Sequence, residues 1–99
     1  MRSKPIRDFE ARDAYLAALE RDNLQDYENY LVAYPHDPMA RRVRAIVAAR
    51  REAITWRRSR SVDTPPAYWS YLRRYPRGFH ADDARRRLAA AARANPAAA

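Results

Sequence analysis

The stretch Tyr27-Glu28-Asn29-Tyr30-Leu31-Val32-Ala33-Tyr34-Pro35 is repeated 41 residues later as Tyr68-Trp69-Ser70-Tyr71-Leu72-Arg73-Arg74-Tyr75-Pro76. The residues that both copies share are three tyrosines and a leucine at the spacing of one helical face, followed by a proline. Proline stops a helix because it lacks the N–H donor and clashes with the preceding turn. The stretch therefore predicts two equivalent short helices, about 24–34 and 65–75.

The similarity extends to both sides of this stretch at the same offset and without a gap. The matched pairs are Tyr15 and Trp56, Asp22 and Asp63, Ala40 and Ala81, Arg44 and Arg85, and Val47 and Leu88. A period of this length with two helices per unit is typical of α-solenoids, in which stacked neighbours complete the core. We therefore predict an all-α fold, a solenoid fragment of about five helices in two 41-residue units, about 14–54 and 55–95.

Longer helices are predicted around the two short ones. The first, about 8–20, would take Asp8 as its N-cap and would carry Phe9, Arg12, Tyr15, Leu16 and Leu19 at helical spacing. For the second helix either Asp22 or Asn23 can act as the cap, and for the fourth the stretch from Asp63 to Pro66 supplies one. The last helix is predicted at about 79–93.

The third helix is predicted at about 38–60, with Asp37 as its N-cap and Pro38 at the first helical position. Arg50 and Arg57 fall inside its apolar arc. Either the side chains of these two arginines snorkel to solvent or stack on tyrosine rings, or the helix is kinked at this point. Outside the helices, residues 1–7 are interpreted as a flexible arm, 8–94 as a single helical-repeat domain and 95–99 as a linker-like tail.

The pattern Tyr-x-x-Tyr-Leu-x-x-Tyr-Pro, followed after about five residues by Ala-x-x-(Val/Ala)-Arg, spans residues 27–44 and again 68–85. It resembles tetratricopeptide-like (TPR-like) repeats of bacterial envelope and multidomain proteins, including some caspase-like proteins. The standard unit has about 34 residues, so the unit here is longer. The resemblance implies a helical scaffold that binds other proteins.

The repeated aromatic stripes predict the core of each unit, because regular helical spacing favours packing over recognition. We assign twelve residues to this repeat core: Tyr15, Tyr27, Tyr30, Leu31, Tyr34, Val47, Trp56, Tyr68, Tyr71, Leu72, Tyr75 and Leu88.

No catalytic constellation is found in the sequence. His36 and His80 each precede a helix without metal-ligand partners nearby, and the four serines lie outside any nucleophile motif. We therefore expect a protein that is not an enzyme and that uses no metal or cofactor.

The net charge of +8 indicates an acidic partner, although 19 of the 20 basic residues are arginine, which a GC-rich coding sequence also produces. Arg44, Arg51 and Arg58 recur every seven residues on the third helix, with Arg41 at the border. These four residues, called the arginine ridge, are either a solvated face or a binding surface. No transmembrane segment is predicted, because the apolar runs are too short. The absence of cysteine fits either a cytoplasmic or an envelope-associated location, as part of a larger protein.

Taken together, these features predict a non-enzymatic protein-protein interaction or scaffolding module. Its partner would be another protein, and the basic charge favours one with an acidic face. Two alternatives remain: a basic nucleic-acid-binding domain, for which no motif accompanies the charge, and a self-associating module whose solenoid ends pair with those of other copies.

Overall fold

The computed structural model describes residues 4–94, and every regular element in that range is helical. The all-α expectation is therefore confirmed for this part of the chain. A short 3-10 helix, Ile6–Asp8, precedes five α-helices: α1 (Ala11–Arg21), α2 (Leu24–Ala33), α3 (Ala40–Val62), α4 (Pro65–Arg74) and α5 (Ala81–Ala94).

The chain divides into two compact units between Arg50 and Arg51, inside α3. Unit 1 contains α1, α2 and the first half of α3, and unit 2 contains the second half of α3, α4 and α5. Each unit has its own apolar core, built around Tyr27 and Tyr30 in unit 1 and around Trp56 and Tyr71 in unit 2. The division lies four residues before the boundary that the sequence period sets at 54/55.

The two short helices begin and end as their sequences predict, to within one residue. The Asn23 side chain accepts the Asp26 N–H at 2.9 Å, and the Thr64 hydroxyl accepts the Ala67 N–H at 3.4 Å, so both are N-caps. At the other end Tyr34 and Tyr75 are C-caps with nearly identical backbone angles. The following proline forbids a further helical turn in both units.

The other helices begin later than predicted. Asp8 lies in the 3-10 helix and caps nothing, because α1 starts at Ala11 after Glu10. The third helix starts at Ala40 instead of Pro38, since a turn intervenes in which the Asp37 carboxylate accepts the Met39 N–H at 2.9 Å. The fifth helix likewise starts at Ala81.

Ile6 belongs to the core, although it lies within the range 1–7 that was predicted to be a flexible arm. Its side chain is 1% exposed and belongs to the core of unit 1. Burying an isoleucine of this kind stabilises a domain by about 2 kcal/mol. The predicted tail, 95–99, lies outside the described residues.

The buried face of α1 differs from the predicted one. Ala14, Tyr15 and Ala18 are buried, whereas Leu16 is 47% and Leu19 38% exposed. At 100° per residue the two leucines point away from the alanines. Small alanine side chains let α1 pack closely on its neighbours, which leaves the leucines on the outer surface.

The predicted repeat core is inside the molecule, although not uniformly. Eight of its residues are buried and four are partly buried. The buried ones are Tyr15, Tyr27, Tyr30, Val47, Trp56, Tyr68, Tyr71 and Leu72, and the partly buried ones are Leu31, Tyr34, Tyr75 and Leu88.

Candidate functional site

Each unit has an aspartate in the left-handed backbone conformation just before its short helix. Asp22 has φ of 52° and Asp63 has φ of 56°. Asp22 accepts the phenol proton of Tyr27 at 2.6 Å, and Asp63 accepts that of Tyr68 in the same way. Burial, followed by the hydrogen bond to Asp22, raises the pKa of Tyr27 to about 12. These contacts fix the entry into α2 and into α4.

Arg50 adds a cation to this contact in unit 1. Its guanidinium forms an ion pair with Asp22, donates to the Asp22 carbonyl at 3.2 Å and lies 5.8 Å from the centre of the Tyr27 ring. The hydrogen bond from Tyr27 and then that from Arg50 lower the pKa of Asp22. Of the alternatives set out for Arg50 and Arg57, stacking on a tyrosine ring applies to Arg50, while Arg57 is exposed.

The central tyrosine of each short helix donates to a carboxylate, but the two carboxylates come from different places. Tyr30 donates to Asp37 in the following loop at 2.8 Å. Tyr71 donates at 2.8 Å to Glu52, which comes from α3 and also accepts the Phe79 N–H at 2.7 Å. Burial and the Glu52 hydrogen bond raise the pKa of Tyr71 to about 12.

These networks are satisfied within the units, and they therefore account for structure and not for ligand binding. Every fully buried side-chain nitrogen or oxygen of the described residues has a hydrogen-bond partner. The same residues contain no cluster of three histidines or carboxylates that could hold a metal.

The two histidines lie in different surroundings. The His80 ring stacks on Trp56 with ring centres 4.9 Å apart, whereas His36 is exposed. Among the serines with a described environment, Ser59 is buried and donates to the Ala67 carbonyl at 3.2 Å. None of these contacts brings a nucleophile next to a base.

The four arginines of the ridge are all exposed. Arg41 and Arg44 belong to unit 1, and Arg51 and Arg58 belong to unit 2. Arg44 has a local role as well, since it donates to the Pro35 carbonyl at 2.5 Å, just as Arg85 donates to the Pro76 carbonyl at 2.7 Å. The arginine repeated at this position therefore has the same structural role in both units, which is to bind the carbonyl of the loop proline.

A groove of about 840 Å³ runs along the outer face of α1 in unit 1. Asp13, Leu16, Ala17 and Glu20 are spaced as one helical face and line it lengthwise, while Phe9, Arg21, Asn23 and Asp26 complete its wall. We call this the α1 groove. Among the described residues none pairs with the carboxylate of Asp13 or of Glu20. The groove thus combines the apolar side chains of Leu16 and Ala17, which we call its floor, with two unpaired negative charges.

An exposed tryptophan distinguishes unit 2. Trp69 on α4 is 57% exposed, and the exposed Arg73 lies one turn further along the same face. We call these two residues the α4 patch. Exposed tryptophan and arginine are the residue types that most often dominate binding energies at protein interfaces.

Neither surface was predicted from the sequence, although the repeat contains a signal for both. Leu16 and Ala17 match Arg57 and Arg58 at the 41-residue offset, and two arginines do not fit into a shared core. Trp69 and Arg73 likewise match Glu28 and Val32. Exposed positions at which the two units differ in chemistry are where a function specific to this chain is to be sought.

Over the described range, no helix is both long enough and apolar enough to cross a membrane. No family model, curated protein or solved structure matches the chain.

Proposed function

We propose that the chain is a non-enzymatic protein-interaction module of the TPR-like solenoid type, and that the α1 groove is its binding site. The observation that carries the proposal is the exposure of Leu16 in a groove bordered by unpaired carboxylates. A leucine that is half exposed loses much of its hydrophobic stabilisation, which a bound partner would restore.

The chemistry of the α1 groove favours a polypeptide as its occupant. Its floor suits an apolar side chain, and the carboxylates of Asp13 and Glu20 suit flanking arginine or lysine side chains. A basic, partly apolar segment meets both requirements. The scaffolding role implied by the TPR-like pattern supports the same proposal.

A photoreactive benzophenone amino acid in place of Leu16, introduced into the chain in its native cell, tests the proposal. We expect an adduct that protease destroys and nuclease leaves intact. Val62, an exposed apolar residue in unit 2, is the matched control position and should give little or no adduct. If position 16 gives no adduct, or only one that nuclease removes, the α1 groove does not bind a polypeptide.

Nucleic acid is a second candidate, and the charge of unit 2 favours it. Residues 51–99 carry eleven basic and four acidic side chains, against nine and eight in residues 1–50. Such an excess attracts phosphates irrespective of base sequence. On this alternative three exposed residues of the arginine ridge, Arg44, Arg51 and Arg58, would each contact a phosphate.

Salt dependence separates the two candidates. Three phosphate contacts predict a log-log slope of about −3 for duplex DNA, and hence weak binding that vanishes near physiological salt. We expect this nonspecific behaviour. Submicromolar binding to any nucleic acid at about 0.15 M salt, abolished by changing Arg44, Arg51 and Arg58 to glutamate, would make nucleic acid the first candidate.

A further inference from the structure

We infer that the α1 groove of one copy of this chain binds the α4 patch of another copy. This inference rests on the proposed function and specifies its partner. It assigns the groove of unit 1 and the exposed tryptophan of unit 2 to the two sides of one head-to-tail interface.

Charge complementarity between the two surfaces supports the pairing. The helical hairpin of α1 and α2, residues 11–33, contains five carboxylates and two arginines, a net charge of −3. Residues 65–77, which include α4, contain three arginines and no carboxylate, a net charge of +3. The chain is strongly basic overall, so its acidic hairpin is a local exception to the charge of the rest. A second copy supplies the opposite charge without any further protein.

The side chains of the α4 patch and of the α1 groove are also complementary in chemical type, apolar to apolar and arginine to carboxylate. Trp69 offers a large apolar ring to the floor formed by Leu16 and Ala17, and Arg73, one turn away, can reach the carboxylates that border it. Arg73 has no ion-pair partner among residues 4–94, and neither Asp13 nor Glu20 has one. An aromatic anchor with a neighbouring arginine is the usual composition of an interface hot spot.

Within one copy the two surfaces are different, and the interface is therefore heterologous. Each copy that joins leaves one free groove and one free patch. Association of this kind continues into rings or open chains and does not stop at a symmetric dimer. We therefore expect the wild-type chain to form species larger than a dimer as its concentration rises.

Two variants test the inference by removing one side each. The groove variant carries Asp13→Arg and Glu20→Arg, and the patch variant carries Trp69→Ala and Arg73→Glu. All four positions are exposed, so both variants should retain the wild-type helical circular dichroism. A matched control, Arg60→Glu with Val62→Ala, makes a comparable change on another exposed part of unit 2.

Sedimentation velocity over a concentration series in low salt gives the outcome. Each variant alone should associate at least about tenfold more weakly than wild type, whereas the control should behave as wild type does. An equimolar mixture of the two variants should form a one-to-one dimer and no larger species, because the dimer retains only mutated surfaces on its free sides. Added salt should weaken the association.

Three results would overturn the inference. They are a wild-type chain that stays monomeric throughout, a groove or patch variant that associates like wild type, and a mixture of variants that stays monomeric. If the wild-type chain stays monomeric but position 16 gives a protease-sensitive adduct to a different protein, the proposed function stands and the partner is that other protein. The absence of any polypeptide adduct would remove the proposed function itself.

Discussion

Tyr30 in unit 1 and Tyr71 in unit 2 occupy equivalent positions, are both fully buried and both need an acceptor for the phenol proton. The loop residue Asp37 supplies it in unit 1 and the helix residue Glu52 in unit 2. At the 41-residue offset Asp37 matches Gly78, and Glu52 matches Ala11. Each unit thus has one carboxylate and one small residue at these two positions, but in exchanged places.

The exchange also explains a difference in the loop. Unit 1 has Pro38 where unit 2 has Phe79, and proline has no N–H to satisfy. The extra N–H of Phe79 donates to Glu52, while the next amide, that of His80, donates to the Tyr71 hydroxyl at 3.1 Å. A buried donor must be satisfied, but the position that supplies the acceptor is free to change.

Alkaline pH should have the largest effect, since it breaks the tyrosine network in both units. The pKa of Tyr27 and of Tyr71 is raised from 10.0 to about 12. A raised pKa means that the neutral phenol stabilises the fold fully below pH 10, and that this contribution is lost as the pH rises towards 12. Tyrosinate absorbance and helical circular dichroism, recorded together, should therefore change in one transition in this window. Complete ionisation near pH 10 with the helices intact would contradict the burial of these phenols.

Among the single substitutions that test the difference between the two units, Glu52→Ala should lower the free energy of unfolding most. It leaves the Tyr71 hydroxyl and the Phe79 N–H without their acceptor, which should lower the free energy of unfolding by about 3 kcal/mol. Urea denaturation measures the loss, and Glu20→Ala, at an exposed position of α1, provides a control for helix propensity. A loss no greater than that of the control would show that Glu52 is not the acceptor.

Gly78→Asp tests whether the two arrangements are interchangeable. A Cβ at Gly78 would lie 2.5 Å from the Tyr71 hydroxyl and 2.8 Å from Glu52, so the single substitution should cost about 2 kcal/mol. Combined with Glu52→Ala and Phe79→Pro, it reproduces the arrangement of unit 1 and should recover much of the stability lost in Glu52→Ala. If Gly78→Asp is equally harmful with and without Glu52→Ala, as urea denaturation measures it, the exchange is not compensatory.

A smaller effect is expected when the aspartate before each short helix is changed to asparagine. The two substitutions, Asp22→Asn and Asp63→Asn, should lower the melting temperature by different amounts. Asparagine tolerates the left-handed conformation, so each substitution removes mainly the charge. Asp22 pairs with Arg50, whereas the residue that matches Arg50 in unit 2 is Ala91, and the melting temperature should therefore fall more for Asp22→Asn.

The contribution of Asp22 should also depend on pH. Its pKa is lowered in the folded state, so the stabilisation is present above the ordinary carboxyl pKa of 3.8 and is lost as the pH falls through the lowered value. Melting curves of wild type and Asp22→Asn should converge in strong acid. A gap that is constant across this range would mean that the Asp22 charge contributes nothing.

The fold was predictable from the sequence where a local rule determines it. Prolines after Tyr34 and Tyr75, and caps at Asn23 and Thr64, define the short helices. The N-terminus of α1 was mispredicted because Asp8 has the right chemistry for a cap but lies in a 3-10 turn. Residue type alone does not distinguish these two contexts.

The surfaces were less predictable because helical spacing does not say which side of a helix is covered. Leu16 and Leu19 fit an apolar stripe, but the close packing of Ala14 and Ala18 determines the buried face of α1. Glu52 was missed for a related reason. Its role becomes visible only when Gly78 is seen to lack the carboxylate that Asp37 provides.

The division between the units lies inside α3, and this has a consequence for the order of folding. Starting a helix is the costly step, and extending one adds a hydrogen bond for each residue that is fixed. Residues 51–62, the first helical segment of unit 2, continue a helix that begins at Ala40 in unit 1. They therefore need no nucleus or N-cap of their own, and helix formation in one unit propagates directly into the other.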